Sequence, residues 1–167
     1  LCQDRRARPL RLWEVLRPVR PAVGVADRRR AEGRTQVARL TRLYPEVASK
    51  HFIDADQPEE DVFLLNSTFR SAGFYMMAPL YAYARWLRRQ DLTGPYREYR
   101  QHLQLFQSET PGRRLTLKAP AHLLGLSALL EAIPDARIVQ THRDPARVLA
   151  SMNSLMATMQ GGMCHRY

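Results

Sequence analysis

The sequence predicts an α/β fold, and three observations carry that prediction. The chain has 167 residues, 45% apolar and 25% charged, enough for a real core in a globular protein. Through the middle of the chain, apolar residues recur at spacings of three and four, the period of a helix. From Arg113 the texture changes to "RRLTLKAP", "AHLLGLSALLEAI", "DARIVQTH" and "PARVLASMNSLMATM". Strand, helix, strand and helix with short links require a right-handed crossover and parallel neighbours.

Residues 1–35 are rich in proline and arginine and read as a loop around one short helical segment, "LRLWEVL". In "TQVARLTRLYPEVASKH", Val37, Leu40 and Leu43 have helical spacing, which Pro45 breaks. "DADQPEEDVFLLNSTF" reads as a helix start. Pro58 suits the first helical position, and Glu59, Glu60 and Asp61 fall in the first turn, where the helix dipole favours acids. Val62, Leu65 and Phe69 continue one face of that helix.

"APLYAYARWLRRQD" predicts a helix with Leu80, Tyr81, Ala84 and Leu87 on its buried side. "GPYREYRQHLQLFQSE" carries Tyr96, Tyr99, Leu103 and Phe106 at spacings of three and four, an aromatic stripe that reads as core. The first strand is then "RRLTLKAP"; an apolar helix follows, closed by Pro134; "DARIVQTH" is the second strand. The organisation is one partial domain over 1–167. It is mainly helical over 35–110, with the strand–helix–strand–helix unit over 113–160.

Composition excludes several classes. No run of eighteen apolar residues exists, so no membrane span is expected. The first residues lack the basic-then-apolar order of a signal peptide. They also lack an initiator methionine, as in a fragment or a processed chain. Cys2 and Cys164 sit near opposite ends, without metal-site spacing or a disulfide framework, so a reduced, cytoplasmic setting is expected.

Net charge is +10, almost all of it arginine; only Lys50 and Lys118 are lysines. That balance suits a nucleic-acid binder, or an arginine-biased composition with a site for an anionic cofactor. The arginines cluster only at Arg5–Arg8 and Arg28–Arg30, with no interleaved aromatics to stack bases. Nucleic acid is therefore not the expected partner.

In an open parallel sheet, ligands bind beyond the carboxyl ends of the strands. Lys118 ends the first strand and Arg143 the second. Each precedes a helix start, at Pro120 and at Asp144-Pro145, where free N–H groups add anion-binding capacity. Ser151 lies about two turns beyond Pro145, roughly 9 Å along the axis. A guanidinium and a hydroxyl so placed could clamp one phosphate, at about 1.5–3 kcal/mol. Arg143 could equally pair with Asp144 or cap a strand end, with Ser151 merely fitting its helix; the spacing leaves both readings open.

"RRLTLKAPAHLLGLSALLEAIPDARIVQTHRDPARVLASMNSL" resembles the sulfotransferase family, in particular its broad bacterial branch. "RPLRLWEVLRPV", "HFIDADQPEEDVFLLNSTFRSAGF" and "YREYRQHLQLFQ" resemble it in the same order, over residues 8–158. The resemblance implies a P-loop-type nucleotide-binding sheet flanked by helices, with a helical acceptor-side region. It implies 3′-phosphoadenosine 5′-phosphosulfate as donor, no metal, and a small-molecule acceptor with a hydroxyl or amine.

The family holds the donor's 3′-phosphate with an arginine at a strand end and a serine eight residues on, and Arg143 and Ser151 match that pair. Lys118 resembles the family's lysine near the transferring sulfuryl group, where it would neutralise the leaving oxygen. Two departures stand out. No stretch resembles the family's glycine- and Ser/Thr-rich 5′ loop, so the chain is expected to begin just after it. Many members have a histidine base two residues after the lysine, where this chain has Pro120. The candidate bases are therefore His122, His51, Glu59 and Glu60, while His142 reads as part of the turn. Two alternatives are a basic polyanion-binding module and a relative of the nucleotide kinases. Acceptor identity and oligomeric state are not legible in the residues.

Overall fold

The computed structural model describes residues 6–164, so Cys2 lies outside the described residues. The fold is α/β and mostly helical. Its sheet has two parallel strands, β1 (Ala7–Arg8) and β2 (Arg114–Leu115), with Ala7 opposite Arg114 and Arg8 opposite Leu115. β1 falls in a segment expected to be irregular. Two residues are too few to show an alternating pattern, and the pairing comes from β2. Arg113 also donates through Nη2 to the Ala7 carbonyl, and Thr116 N donates to Arg8 O at 3.1 Å.

α1 (Leu12–Leu16) is the short segment the sequence indicated. It is tied by a buried ion pair one turn upstream, Arg8 Nη2 to Glu14 Oε1 at 2.6 Å. α2 (Arg29–Leu43) crosses it at Gly33, where an added Cβ would lie 2.7 Å from Trp13 Cβ. α2 stops at Leu43, and α3 (Pro45–Lys50) restarts with Pro45 in its first turn, as the proline's fixed φ allows.

The helix expected from Pro58 begins later and is tighter. Pro58 bridges Arg11 in an antiparallel contact, and Asp61–Thr68 is a 3₁₀ helix. Glu59 and Glu60 therefore precede the first turn instead of lining it. Val62, Leu64 and Leu65 are buried, whereas Phe69, expected on the same face, is 74% exposed. Phe69 ends the helix in the left-handed region (φ 53°) and stacks on Phe74, ring centroids 5.9 Å apart.

The helix expected over "APLYAYARWLRRQD" is shorter, α5 (Tyr81–Leu87), and is preceded by a short α4 (Gly73–Met77) that was not expected; Pro79, with no N–H to give, lies between them. Leu87 is buried, but Leu80 and Tyr81 are exposed, contrary to their expected place on the buried side. α6 (Thr93–Glu109) follows the sequence reading closely: Tyr96, Tyr99 and Phe106 are buried and Leu103 packs against them. They form one core with Leu10, Leu12, Val15, Leu64, Leu65 and residues of α7 (Leu126–Ala132). The apolar helix after β2 is also divided, into a 3₁₀ turn, Pro120–Leu124, and α7. At Gly125 between them, Tyr96 and Leu92 leave no room for a side chain.

The second expected strand, "DARIVQTH", is not a strand. Residues 137–144 have no sheet partner, and Ile138 and Val139 are 49% and 89% exposed. A strand needs a neighbour for its N–H and C=O groups, and neither β1 nor β2 runs beside this segment. α8 (Pro145–Met163) then opens with an Asp144 N-cap, whose carboxylate accepts from Ala146 N at 3.0 Å. Its far half packs on α3 and α4. Lys50 Nζ donates to Ser154 Oγ (3.0 Å) and Thr158 Oγ1 (2.7 Å), and Gln160 Nε2 to Tyr75 O (2.8 Å). The near half, through Ser151, is exposed.

Candidate active site

An open crevice of about 350 Å³ is lined by Pro9, His51, Phe52, Pro58, Glu59, Glu60, Thr116, Leu117 and Lys118. Backbone pairing builds it. The strand pair sets Thr116–Lys118 beside Pro9. The Arg11–Pro58 bridge, with Glu59 N donating to Leu10 O at 3.0 Å, lays Glu59 and Glu60 along the same run. The end of α3 delivers His51 and Phe52.

Two adjacent carboxylates divide their partners inside this crevice. Glu60 Oε1 accepts from Lys118 Nζ in an ion pair whose lysine is largely exposed. Glu59 Oε1 faces His51 Nε2 at 3.6 Å and accepts from Glu60 N at 2.9 Å. Glu59 raises the His51 pKa above its ordinary 6.5, against an opposing effect of burial. Burial alone would raise the Glu59 pKa, but His51 and the Glu60 N–H outweigh it and hold the carboxyl below its ordinary value. Of the seven candidates named from sequence or resemblance, four line this crevice: His51, Glu59, Glu60 and Lys118.

His122 faces elsewhere. Its Nε2 lies 2.8 Å from Asp61 Oδ2 and its Nδ1 2.9 Å from Tyr96 Oη, so both ring nitrogens are engaged. Tyr99 Oη donates to the same Asp61 oxygen at 2.5 Å, and Asp61 is fully buried. The net effect on Asp61 is a lowered pKa. Desolvation pushes up, while the bonds from His122 and Tyr99 more than offset it. Burial, followed by the nearby Asp61 charge, drives the phenols of Tyr96 and Tyr99 well up. This network went unnoticed in the sequence reading, although an aspartate opening the apolar run "DVFLL" was its visible sign.

Arg143 and Ser151 are both exposed, and neither lines the crevice. The structure thus keeps them on α8 and its approach, apart from the lining around Lys118. The free N–H capacity expected at this helix start is partly taken by Asp144 itself. The start at Pro120 opens only a five-residue 3₁₀ turn, in which His122 N already donates to Ala119 O. Among the described residues, no group of three His, Cys, Asp or Glu is placed to hold a metal. None of their helices is long and apolar enough to cross a membrane.

A family model described as "Sulfotransferase family" matches residues 1–165. The chain belongs to the sulfotransferase family.

Solved sulfotransferases agree. STF1 from Mycobacterium tuberculosis H37Rv is 32% identical with a TM-score of 0.71, over 95% of this chain and 44% of that one. STF9 from Mycobacterium avium is 32% identical with a TM-score of 0.71, over 96% of this chain and 42% of that one. This sulfotransferase chain therefore spans less than half the length of the solved relatives it matches. No curated protein matches it. Phe52, 75% exposed, and Pro9 are apolar crevice residues of this chain that the sequence reading did not single out.

Proposed function

We propose that the protein transfers a sulfuryl group from 3′-phosphoadenosine 5′-phosphosulfate to a hydroxyl or amine of a small-molecule acceptor. The observation that carries this reading is the crevice of a sulfotransferase chain in which Lys118, Glu60 and the His51–Glu59 pair converge.

The chain's residues fit an anionic donor chemically. His142, Arg143 and Arg147 cluster, exposed, around the start of α8, whose first turn holds no acid beyond the capping Asp144. Arg143 and Ser151 would hold the 3′-phosphate, as a forked cation and a neutral hydroxyl. Lys118 would sit against the bridging oxygen and offset charge there. When bound, the donor supplies an electrophilic sulfur joined through oxygen to a phosphate. The residues do the rest: Glu60 holds the Lys118 ammonium in place, and Phe52 and Pro9 offer apolar surface to the acceptor body.

The deciding experiment is calorimetric binding of 3′,5′-adenosine bisphosphate against 5′-AMP to the intact protein. A clear preference for the bisphosphate supports the reading. Equal, weak binding of both that falls steeply with salt would replace it with a polyanion module.

A further inference from the structure

We infer that His51, oriented by Glu59, is the group that takes the acceptor's proton during sulfuryl transfer. The inference rests on the function proposed above and adds to it a residue in a named role.

Geometry separates the four candidate bases. His122 has both ring nitrogens engaged by Asp61 and Tyr96 and lies outside the crevice lining. Glu60 is taken up by the Lys118 ammonium, which makes its carboxylate a poor proton acceptor while the pair stands. Glu59 is 9% exposed in its side chain and holds two partners, the Glu60 N–H and His51. His51 is the remaining candidate. Its ring is one-third exposed and lines the crevice with Lys118, and one nitrogen faces a fixed carboxylate.

That arrangement is what an orienting carboxylate provides. Glu59 cannot swing away, because its backbone N–H is bonded to Leu10 O and its Oε1 to Glu60 N. Nε2 faces the Glu59 carboxylate at 3.6 Å, which favours the proton on that nitrogen and leaves the Nδ1 lone pair to accept the acceptor's proton. The charged groups facing His51 are Glu59, Glu60 and Lys118: the two acids favour the imidazolium that forms, and the lysine opposes it.

The chemical balance is closed. The acceptor oxygen forms a bond to sulfur as the bond from sulfur to the bridging oxygen breaks. The bridging oxygen leaves with that electron pair on the nucleotide phosphate, and the acceptor's proton passes to His51. No electron is gained or lost overall.

The test uses the intact protein, with His51→Gln and Glu59→Gln beside it. In an NMR titration without donor, His51 should titrate above the ordinary 6.5, and Glu59→Gln should move it down. Turnover is then followed with phenols of graded acidity, from phenol to 4-nitrophenol. His51→Gln should lose about 10²–10⁴-fold with phenol. With 4-nitrophenol ionised at the assay pH, no base is needed, and the loss should shrink to about threefold. Affinity for 3′,5′-adenosine bisphosphate should stay unchanged in both variants.

An equal loss across all the phenols, or a His51 titration indifferent to Glu59, overturns the inference while leaving the transferase reading intact. A wild-type protein that neither prefers the bisphosphate nor consumes donor with any phenol removes the transferase reading, and this inference with it.

Discussion

His122 Nε2 lies 2.8 Å from Oδ2 of Asp61, a carboxylate with no exposure to solvent. The contact joins two segments 61 residues apart, and it does so one residue beyond the Glu60–Lys118 pair on one side. Asp61 is thereby a structural anchor for the crevice wall. Removing it leaves His122 and the Tyr99 hydroxyl without their acceptor. Asp61→Ala should cost about 3–5 kcal/mol in urea unfolding, the penalty of breaking a buried pair.

The same group sets an acid limit. Its folded pKa lies below the ordinary 3.8, despite burial, because His122 and Tyr99 stabilise the ionised form. The stability this contributes is complete above the unfolded value and is lost as pH falls through the folded one. Acid unfolding of the wild type should therefore include a component below about pH 4 that Asp61→Asn lacks, read by circular dichroism.

Lys118 and Glu60 should separate stability from activity. Their pair is largely open to solvent on the lysine side, so Lys118→Met should change unfolding free energy by about 0–1 kcal/mol. If the lysine offsets charge on the leaving oxygen, donor turnover should fall about 10²–10³-fold in the same variant. Equal turnover in the two proteins would remove Lys118 from the reaction.

Arg143→Ala should leave the thermal midpoint nearly unchanged, because the residue is exposed. Its affinity for 3′,5′-adenosine bisphosphate should drop about 10- to 150-fold, the worth of one charge-assisted bond. Affinity for 5′-AMP should not move. A matching loss for both nucleotides would mean that Arg143 does not read the 3′-phosphate.

Gly33 tests the seam between α1 and α2. A methyl there meets Trp13 Cβ at 2.7 Å and Trp13 Cα at 3.3 Å, and the second atom is backbone. Overpacking of this kind costs about 1–3 kcal/mol. Alanine gains back up to about 1 kcal/mol in helix propensity. Gly33→Ala should therefore be net destabilising, with a lower melting temperature.

The helical layer was legible because its signals are local. Tyr96, Tyr99 and Phe106 repeat at helical spacing and are buried, and Pro45 divides two helices as its chemistry requires. The 3₁₀ helix at Asp61–Thr68 was not distinguishable from an α-helix, since both bring residues three apart together. β1 was invisible because "AR" carries no pattern, and 135–142 was read as a strand from its composition alone. Whether such a run pairs depends on a neighbour distant in sequence. The site divides the same way. Lys118, Glu59 and Glu60 were nameable as residue types, but the partition of Glu59 to His51 and Glu60 to Lys118 exists only after the Arg11–Pro58 bridge is made.

The pairing of Ala7 with Arg114 also has a consequence in time. A ribosome adding about 5–20 residues per second delivers the second strand on the order of ten seconds after the first. Through that interval α1 to α6 can settle from nearer contacts, while β1 waits with an open edge. Closing so long a loop is entropically costly, so the strand pair forms late. The crevice stands on that pair, and a nascent chain halted before Lys118 would hold most of its helices and the His51–Glu59 pair, but not the lysine opposite them.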